Sequence, residues 1–319
     1  MSLGQALRSL CLVCSAVVVL RAAEAQPELK AAAFRANSQL VLVPVTVTDR
    51  NGKTVEGLRA TDFHVFDDQR PQQIVSFANE DAPASIGIVL DISGSMRELL
   101  GSAKDITHAF LKTANTEDEF LLLTVSDLPR SISAFTSDAA AIEESVEYQR
   151  SGGETALIDT VYLGLRQMRQ ARRARRALLI VSDGIENHSR YSKNELMRVA
   201  LEADVQVYSI IMDNPGAASG NTLPFRPTLI RKPGDQALER QGPQLLEDLS
   251  AKTGGLYFHI RNSVEAQQAV AKAGQALRSE YVLGYQLPDS STAGKWHRVQ
   301  VKSNVPKVNV YARNGYYFP

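Results

Sequence analysis

Asp91-Ile92-Ser93-Gly94-Ser95-Met96 places three short oxygen-bearing side chains at alternate positions, directly after the apolar run Ile86–Leu90. With a glycine between the serines, these oxygens can converge on one point in a tight loop. An all-oxygen set suits a hard cation, Mg²⁺ with Mn²⁺ or Ca²⁺ as alternatives, and not zinc. Three oxygens are few for such an ion, and two further segments add to them. Gly152-Gly153-Glu154-Thr155-Ala156-Leu157 reads as a glycine loop opening a helix, and it presents the Thr155 hydroxyl. Leu178-Leu179-Ile180-Val181-Ser182-Asp183-Gly184 reads as a buried strand that ends in the Asp183 carboxylate. In an open parallel sheet, ligands bind outside the carboxyl ends of the strands. All three loops can therefore meet on one edge. Alone, Asp91-x-Ser93-x-Ser95 also fits a cap, since a serine before a helix satisfies free backbone N–H groups; Thr155 and Asp183 in matching places favour the metal.

The elements that must position these loops follow from the hydrophobic pattern. Between Ser85 and about Gly274, the runs Ile86–Leu90, Phe120–Val125, Ala177–Val181, Val205–Met212 and Gly255–Ile260 are apolar without alternation, as strands buried on both faces should be. Helical patterns fill the intervals: Glu98–Thr113, Ala156–Arg172, Lys193–Glu202, Leu245–Thr253 and Val264–Leu277. This alternation predicts an α/β domain over 84–275, a doubly wound, mostly parallel sheet with helices on both faces. Residues 38–80 read as β instead. Val41, Val43, Val45 and Val47 alternate with Leu42, Pro44, Thr46 and Thr48, Asn51-Gly52 is a strong turn dipeptide, and Phe63–Phe66 and Gln73–Phe77 add strands around Asp67, Asp68 and Pro71. Residues 279–319 are β again, with Tyr281–Leu287, Lys295–Lys302 and Lys307–Arg313 as strands. Neither end is large enough for a good core alone, so the two are expected to pair into one β-sandwich around the α/β domain.

Asp91-x-Ser93-x-Ser95, Thr155 and Asp183 together resemble the metal-ion-dependent adhesion site of von Willebrand factor type A domains, over roughly Ser85–Gly274. Val43-Pro44-Val45-Thr46-Val47, Asp62-Phe63, Ser182-Asp183-Gly184, Tyr281-Val282-Leu283-Gly284-Tyr285 and Gly315-Tyr316-Tyr317 are similar to exported bacterial proteins of the VWFA-related acidobacterial type. The resemblance implies a Rossmann-like fold and a Mg²⁺-binding, non-enzymatic module. Ser93, Ser95 and Thr155 would offer hydroxyls, Asp91 and Asp183 would act directly or through water, and one position would stay open for a carboxylate of a protein partner. Glu154 departs from the small residue common before the threonine.

The chain begins with Arg8, an apolar run from Leu10 to Leu20, Arg21 and the small-residue stretch Ala22-Ala23-Glu24-Ala25. That is the pattern of a signal peptide over 1–25, followed by a flexible lead-in over 26–37. The run is too short to span a bilayer. Export to the periplasm, cell surface or medium follows, with no integral membrane span in the mature chain. Both cysteines, Cys11 and Cys14, would leave with the leader, which removes disulfides and thiolate chemistry.

Composition narrows the function. The 319 residues carry 35 basic and 35 acidic side chains, with 22% charged and 44% hydrophobic, which suits a folded globular chain and disfavours a general polyanion or nucleic-acid binder. Arg166, Arg169, Arg172, Arg173, Arg175 and Arg176 form a basic cluster read at a helix end, either a solvated face complementing the helix dipole or a patch for polyanions or anionic lipid. Asp159 reads as a helix-start acid, and Asn187 and Ser189 as holders of the loop past Asp183. His64, His108, His188, His259 and His297 show no paired metal spacing, and no nucleophile elbow or Walker loop is present. No catalytic residue is assigned; the enzymatic alternative is metal-assisted hydrolysis with Glu154 or His188 as base. Asp213–Gln241, rich in Pro and Gly, leaves a strand's carboxyl end and is expected either to shape partner choice or to be an inconsequential insertion.

Overall fold

The computed structural model describes residues 39–79, 81–213, 235–287 and 294–317. The leader and lead-in expected over 1–37, and 214–234 of the Pro- and Gly-rich segment, lie outside these residues.

Strand β1 (Gln39–Thr48) is followed by β2 (Phe63–Asp67), β3 (Arg70–Gln72) and β4 (Ile74–Ala78). The α/β part then alternates β5 (Ala84–Asp91), α1 (Leu100–Leu111), β6 (Glu119–Val125), β7 (Arg130–Ser131), α2 (Ala139–Glu147), α3 (Leu157–Gln167), β8 (Arg175–Ser182), α4 (Lys193–Glu202) and β9 (Gln206–Met212). It continues through α5 (Asp235–Thr253), β10 (Tyr257–Ile260) and α6 (Ser263–Arg278). The chain finishes with β11 (Tyr281–Leu287), β12 (Trp296–Ser303), β13 (Asn309–Ala312) and β14 (Gly315–Tyr317).

The central sheet has six strands in the order β10-β9-β8-β5-β6-β7, parallel except for the short β7. Every residue of β5, β6 and β9 is buried, which explains why their sequences do not alternate. Their side chains still alternate between faces: Ile86, Ile88 and Leu90 enter one core with α1 and α6, while Val89, Leu178 and Ile180 enter the other with α3, α4 and α5. The expected doubly wound α/β fold is thus observed.

Several local expectations shift. No element was expected between Val125 and Gly152, yet α2 lies there, its N-terminus capped by Asp138 accepting from Ala141 N at 3.1 Å. Only Ile142 and Val146 of α2 are buried, too short an apolar stripe to stand out. Helix α5 begins at Asp235, ten residues before the expected Leu245, and carries Pro243 inside it. Arg175 and Arg176 belong to β8 and not to a helix end, because α3 stops at Gln167.

Strands from the two chain ends interleave in both remaining sheets, ordered β13-β1-β11-β4 and β14-β12-β2-β3. Val41, Val43, Val45 and Val47 point into a shared core with Phe63, Val65, Tyr281, Leu283, Tyr285 and Val299, while Leu40 and Leu42 face outward. Inside this sandwich, the buried Asp67 carboxylate accepts from Tyr285 Oη at 2.6 Å and Tyr316 Oη at 2.8 Å, and lies 2.8 Å from His297 Nδ1. Burial, reinforced by Asp67, holds both phenols above their ordinary range, so they stay donors. One carboxylate thereby links β2, β11, β12 and β14. Glu280, just before β11, pairs with Arg175 Nε at 3.0 Å. Burial outweighs that cation and pushes Glu280 up to about 7.

Asp67→Ala should destabilise the protein by about 3 kcal/mol or more, because it strands several buried donors at once; urea unfolding measures this. Between the ordinary glutamate value of 4.5 and about 7, the folded state holds the Glu280 proton more tightly than the unfolded chain. Stability from this group is therefore full below 4.5 and is lost as pH rises through 7. Glu280→Gln is expected to flatten thermal stability across that window relative to the parent chain.

Candidate functional site

The parallel register sets Leu90 of β5 beside Val181 of β8, so both strands end on the same edge. Asp91, the last residue of β5, is fully buried. Its Oδ1 accepts from Ser93 N at 2.9 Å, and its Oδ2 accepts from Ser182 Oγ at 2.5 Å. The Ser182 hydroxyl in turn accepts from Gly184 N at 2.9 Å. A single hydroxyl thus fixes Asp91 and begins the turn that carries Asp183. Gly184 sits at φ +76°, and a Cβ there would lie 2.8 Å from Pro243 N of α5. The turn therefore requires glycine for conformation and for space.

Ser93 and Asp91 are buried, Ser95 is half-buried, and the two serine hydroxyls lie 3.0 Å apart. The Asp91 loop is fastened to the glycine loop by Gly94 N donating to Gly153 O at 2.9 Å and Gly152 N donating to Ile92 O at 2.8 Å. Thr155, also buried, donates its N–H to Asn187 Oδ1 at 2.9 Å and accepts at its carbonyl from Asn187 N and His188 N. The structure therefore joins Asp91, Ser93 and Ser95 directly. Thr155 and Asp183 come to the same edge through the backbone of their loops. Asp183, buried, accepts from Ile185 N at 3.1 Å. Its charge reaches Asp91: burial first, and the Asp183 carboxylate second, push Asp91 up to about 7 against the hydrogen bonds from Ser182 and Ser93.

A second tier of residues holds these loops: Asn187 and Ser189, expected from sequence in that place, and Glu186 and Asp127, which were not. Glu186 is buried and accepts from Ile158 N at 2.8 Å, His188 N at 3.0 Å, Ser189 N at 2.9 Å and Ser189 Oγ at 2.7 Å. It ties the start of α3 to the loop after Asp183. Asp159 accepts from Arg190 N and Tyr191 N, and Ser189 Oγ accepts from Asp159 N, so Asp159, Asn187 and Ser189 bind the loops to one another. Asp127 accepts from Glu154 N and fills the space beside Gly153, which adopts φ +83°. His188 is exposed. Ser182 stood in plain view beside Asp183; Glu186 and Asp127 give no signal in sequence, because their partners lie in other loops.

Among the described residues, one group of three side chains able to hold a metal is of a different kind: Asp67, Asp68 and His297, in the sandwich. Asp67 there already serves two tyrosine hydroxyls and His297, and the group is well explained as a structural tie.

Residues 86–186 match the family model of the von Willebrand factor type A domain. The chain carries a domain of that family. The matched residues include all five oxygen donors on the carboxyl edge. An uncharacterized protein of Borreliella burgdorferi is 23% identical over 199 residues, covering 59% of this chain and 57% of the relative. This chain thus spans little more than half of that relative's length. Among solved structures, BatB from Bacteroides thetaiotaomicron is 18% identical, covering 61% of this chain and 100% of its own, with a TM-score of 0.45. A von Willebrand factor type A protein from Catenulispora acidiphila is 13% identical, covering 89% and 75%, with a TM-score of 0.48. The vWF domain of the type V pili tip protein Mfa5 from Porphyromonas gingivalis is 14% identical, covering 61% and 94%, with a TM-score of 0.44.

Glu186→Ala removes an acceptor shared by three backbone N–H groups and one hydroxyl, and should cost about 2–4 kcal/mol. Thermal unfolding would show the loss, and proteolysis should cut first in the loop at 184–191.

Proposed function

We propose that this chain is an exported, non-enzymatic binding protein whose von Willebrand factor type A domain uses a divalent cation to engage an acidic group on a protein partner. The donor set carries this reading: the Asp91 and Asp183 carboxylates with the Ser93, Ser95 and Thr155 hydroxyls, on laced loops at one strand edge. Two neighbouring carboxylates repel each other, and a cation between them relieves that repulsion. All-oxygen donors with few carboxylates suit Mg²⁺, which keeps some of its waters. Neutral hydroxyls leave the ion electron-poor, so that when bound it supplies an attractive centre for an incoming carboxylate. Asp91 is fixed by Ser182 and the Ser93 N–H, and its place is to orient the loop and balance the ion's charge. Ser93, Ser95 and Thr155 would hold the ion through their hydroxyls, and Asp183 through its carboxylate. Export rests on the leader pattern over 1–25. Among the described residues, no helix is long and apolar enough to cross a membrane.

Titration calorimetry with Mg²⁺ and Mn²⁺ tests the ion. We expect binding by the parent chain, and at least about tenfold weaker binding after Asp183→Asn or Thr155→Ala. Asp183→Asn should leave the metal-free protein as stable as before or more so, since it removes a like charge beside Asp91. Capture from native envelope or culture material in Mg²⁺, followed by release in EDTA, tests the partner. Equal ion binding by parent and variants would overturn the assignment.

A further inference from the structure

On the sheet edge opposite the Asp91 loop, the N-terminal ends of β8 and β9 meet the sandwich around a cavity of about 50 Å³, lined in part by Arg176, Asp204, Gln206, Glu280, Arg313 and Gly315. A water needs roughly 10–15 Å³ of such space, so the cavity has room for about four small groups. Its walls are short of acceptors. Arg176 Nε and Arg313 Nε are buried donors without a hydrogen-bond partner among the described residues. Gln206 faces Glu280, whose charged form it favours, and its amide carries a second N–H on the cavity wall. Gln206 is 4% and Glu280 2% exposed. The charges are unbalanced too. Arg313 is committed to Asp204 and to the Leu42 carbonyl, and Arg175 to Glu280, while no acid among the described residues pairs with Arg176.

We propose that this seam is a binding site for a small oxyanion, of the class of inorganic phosphate or a short carboxylate, held by Arg176 with Arg313 and Gln206. An oxyanion offers acceptors on several sides, which is what two unpartnered guanidinium N–H groups and the second Gln206 amide N–H require, and guanidinium forks suit its geometry. Arg176 and Gln206 come from the α/β part, and Arg313 and Glu280 from its junctions with the sandwich, so the anion would bridge the two. The Glu280 carboxylate on the cavity wall is already paired with Arg175 at 3.0 Å, which offsets its repulsion of an incoming anion. The basic cluster of the sequence thus divides: Arg166, Arg169 and Arg172 stay exposed, while Arg175 and Arg176 turn into the seam.

Thermal unfolding and calorimetry on the full chain test the site with phosphate and with acetate, each against sodium chloride of equal ionic strength. A bound anion raises the melting temperature by mass action. We expect at least one of the two to do so beyond chloride, the stronger arm identifying the preferred oxyanion. Arg176→Gln should weaken that binding about tenfold or more, and Gln206→Leu should weaken it by a smaller factor. No effect of either anion beyond chloride would overturn the proposal, as would equal binding by the parent chain and both variants. If Arg176→Gln fails to fold, Gln206→Leu carries the same decision.

Discussion

The parallel pairing of β5 with β8 is the constraint on which the candidate site depends. With Leu90 opposite Val181, Asp91 arrives beside Ser182, and the 2.5 Å hydrogen bond between them sets both strand ends. The same hydroxyl receives Gly184 N, which starts the turn presenting Asp183. That turn lies against α5 so closely that a Cβ on Gly242 would fall on the Gly184 carbonyl oxygen. Sheet register, helix position and carboxylate placement are therefore one arrangement. Moving α5 away would release the turn, and shifting the register by one residue would send Asp91 to the other face.

Acidic side chains around the edge divide into two kinds of work. Glu186, Asp159 and Asp127 spend their oxygens on backbone N–H groups of neighbouring loops. Hydrogen bonds to charged groups are stronger than neutral ones, about 1.5–3 kcal/mol each, and here they hold segments that have no sheet partner. Asp91 and Asp183 stand within each other's field, an arrangement that costs folding energy. That cost sets Asp91 and Asp183 apart from the carboxylates that only brace the loops.

What could be read from sequence was whatever is local. Runs such as Ile86–Leu90 and Ala177–Val181 announce buried strands by composition, and Asp91, Ser93, Ser95, Thr155 and Asp183 announce oxygen chemistry by residue type and strand-end position. What stayed hidden depends on distant partners. Asp67 looked like a turn residue because Tyr285, Tyr316 and His297 lie more than 200 positions away. Arg175 and Arg176 continued a basic pattern that looked helical, and their pairing with Ala84 and Ser85 of the distant β5 places them on a strand. Helix α2 buries two side chains, and β14 is three residues long; both exist through tertiary contact more than through propensity.

The sandwich sets the order in which this chain can become itself. Its pairing of Gln39 with Leu287 closes a loop containing the entire α/β part, and closing it in an unfolded chain costs entropy before any contact repays it. A folded α/β part shortens that loop to the distance between its own entry and exit. Those lie together, because Arg278 at the end of α6 reaches both Asp81 in the entry segment and Asp118 before β6, and Asp118 also accepts from Ala84 N at the start of β5. Arg278 thus performs at the base what Ser182 performs at the carboxyl edge, joining segments far apart in sequence by one charged or polar contact. A folded α/β part therefore brings the two chain ends, each too small for a core, side by side. The Glu280–Arg175 pair and the Asp67 network then lock the sandwich, so the stability of the outer β-sheets is conditional on the integrity of the α/β part that carries the candidate site.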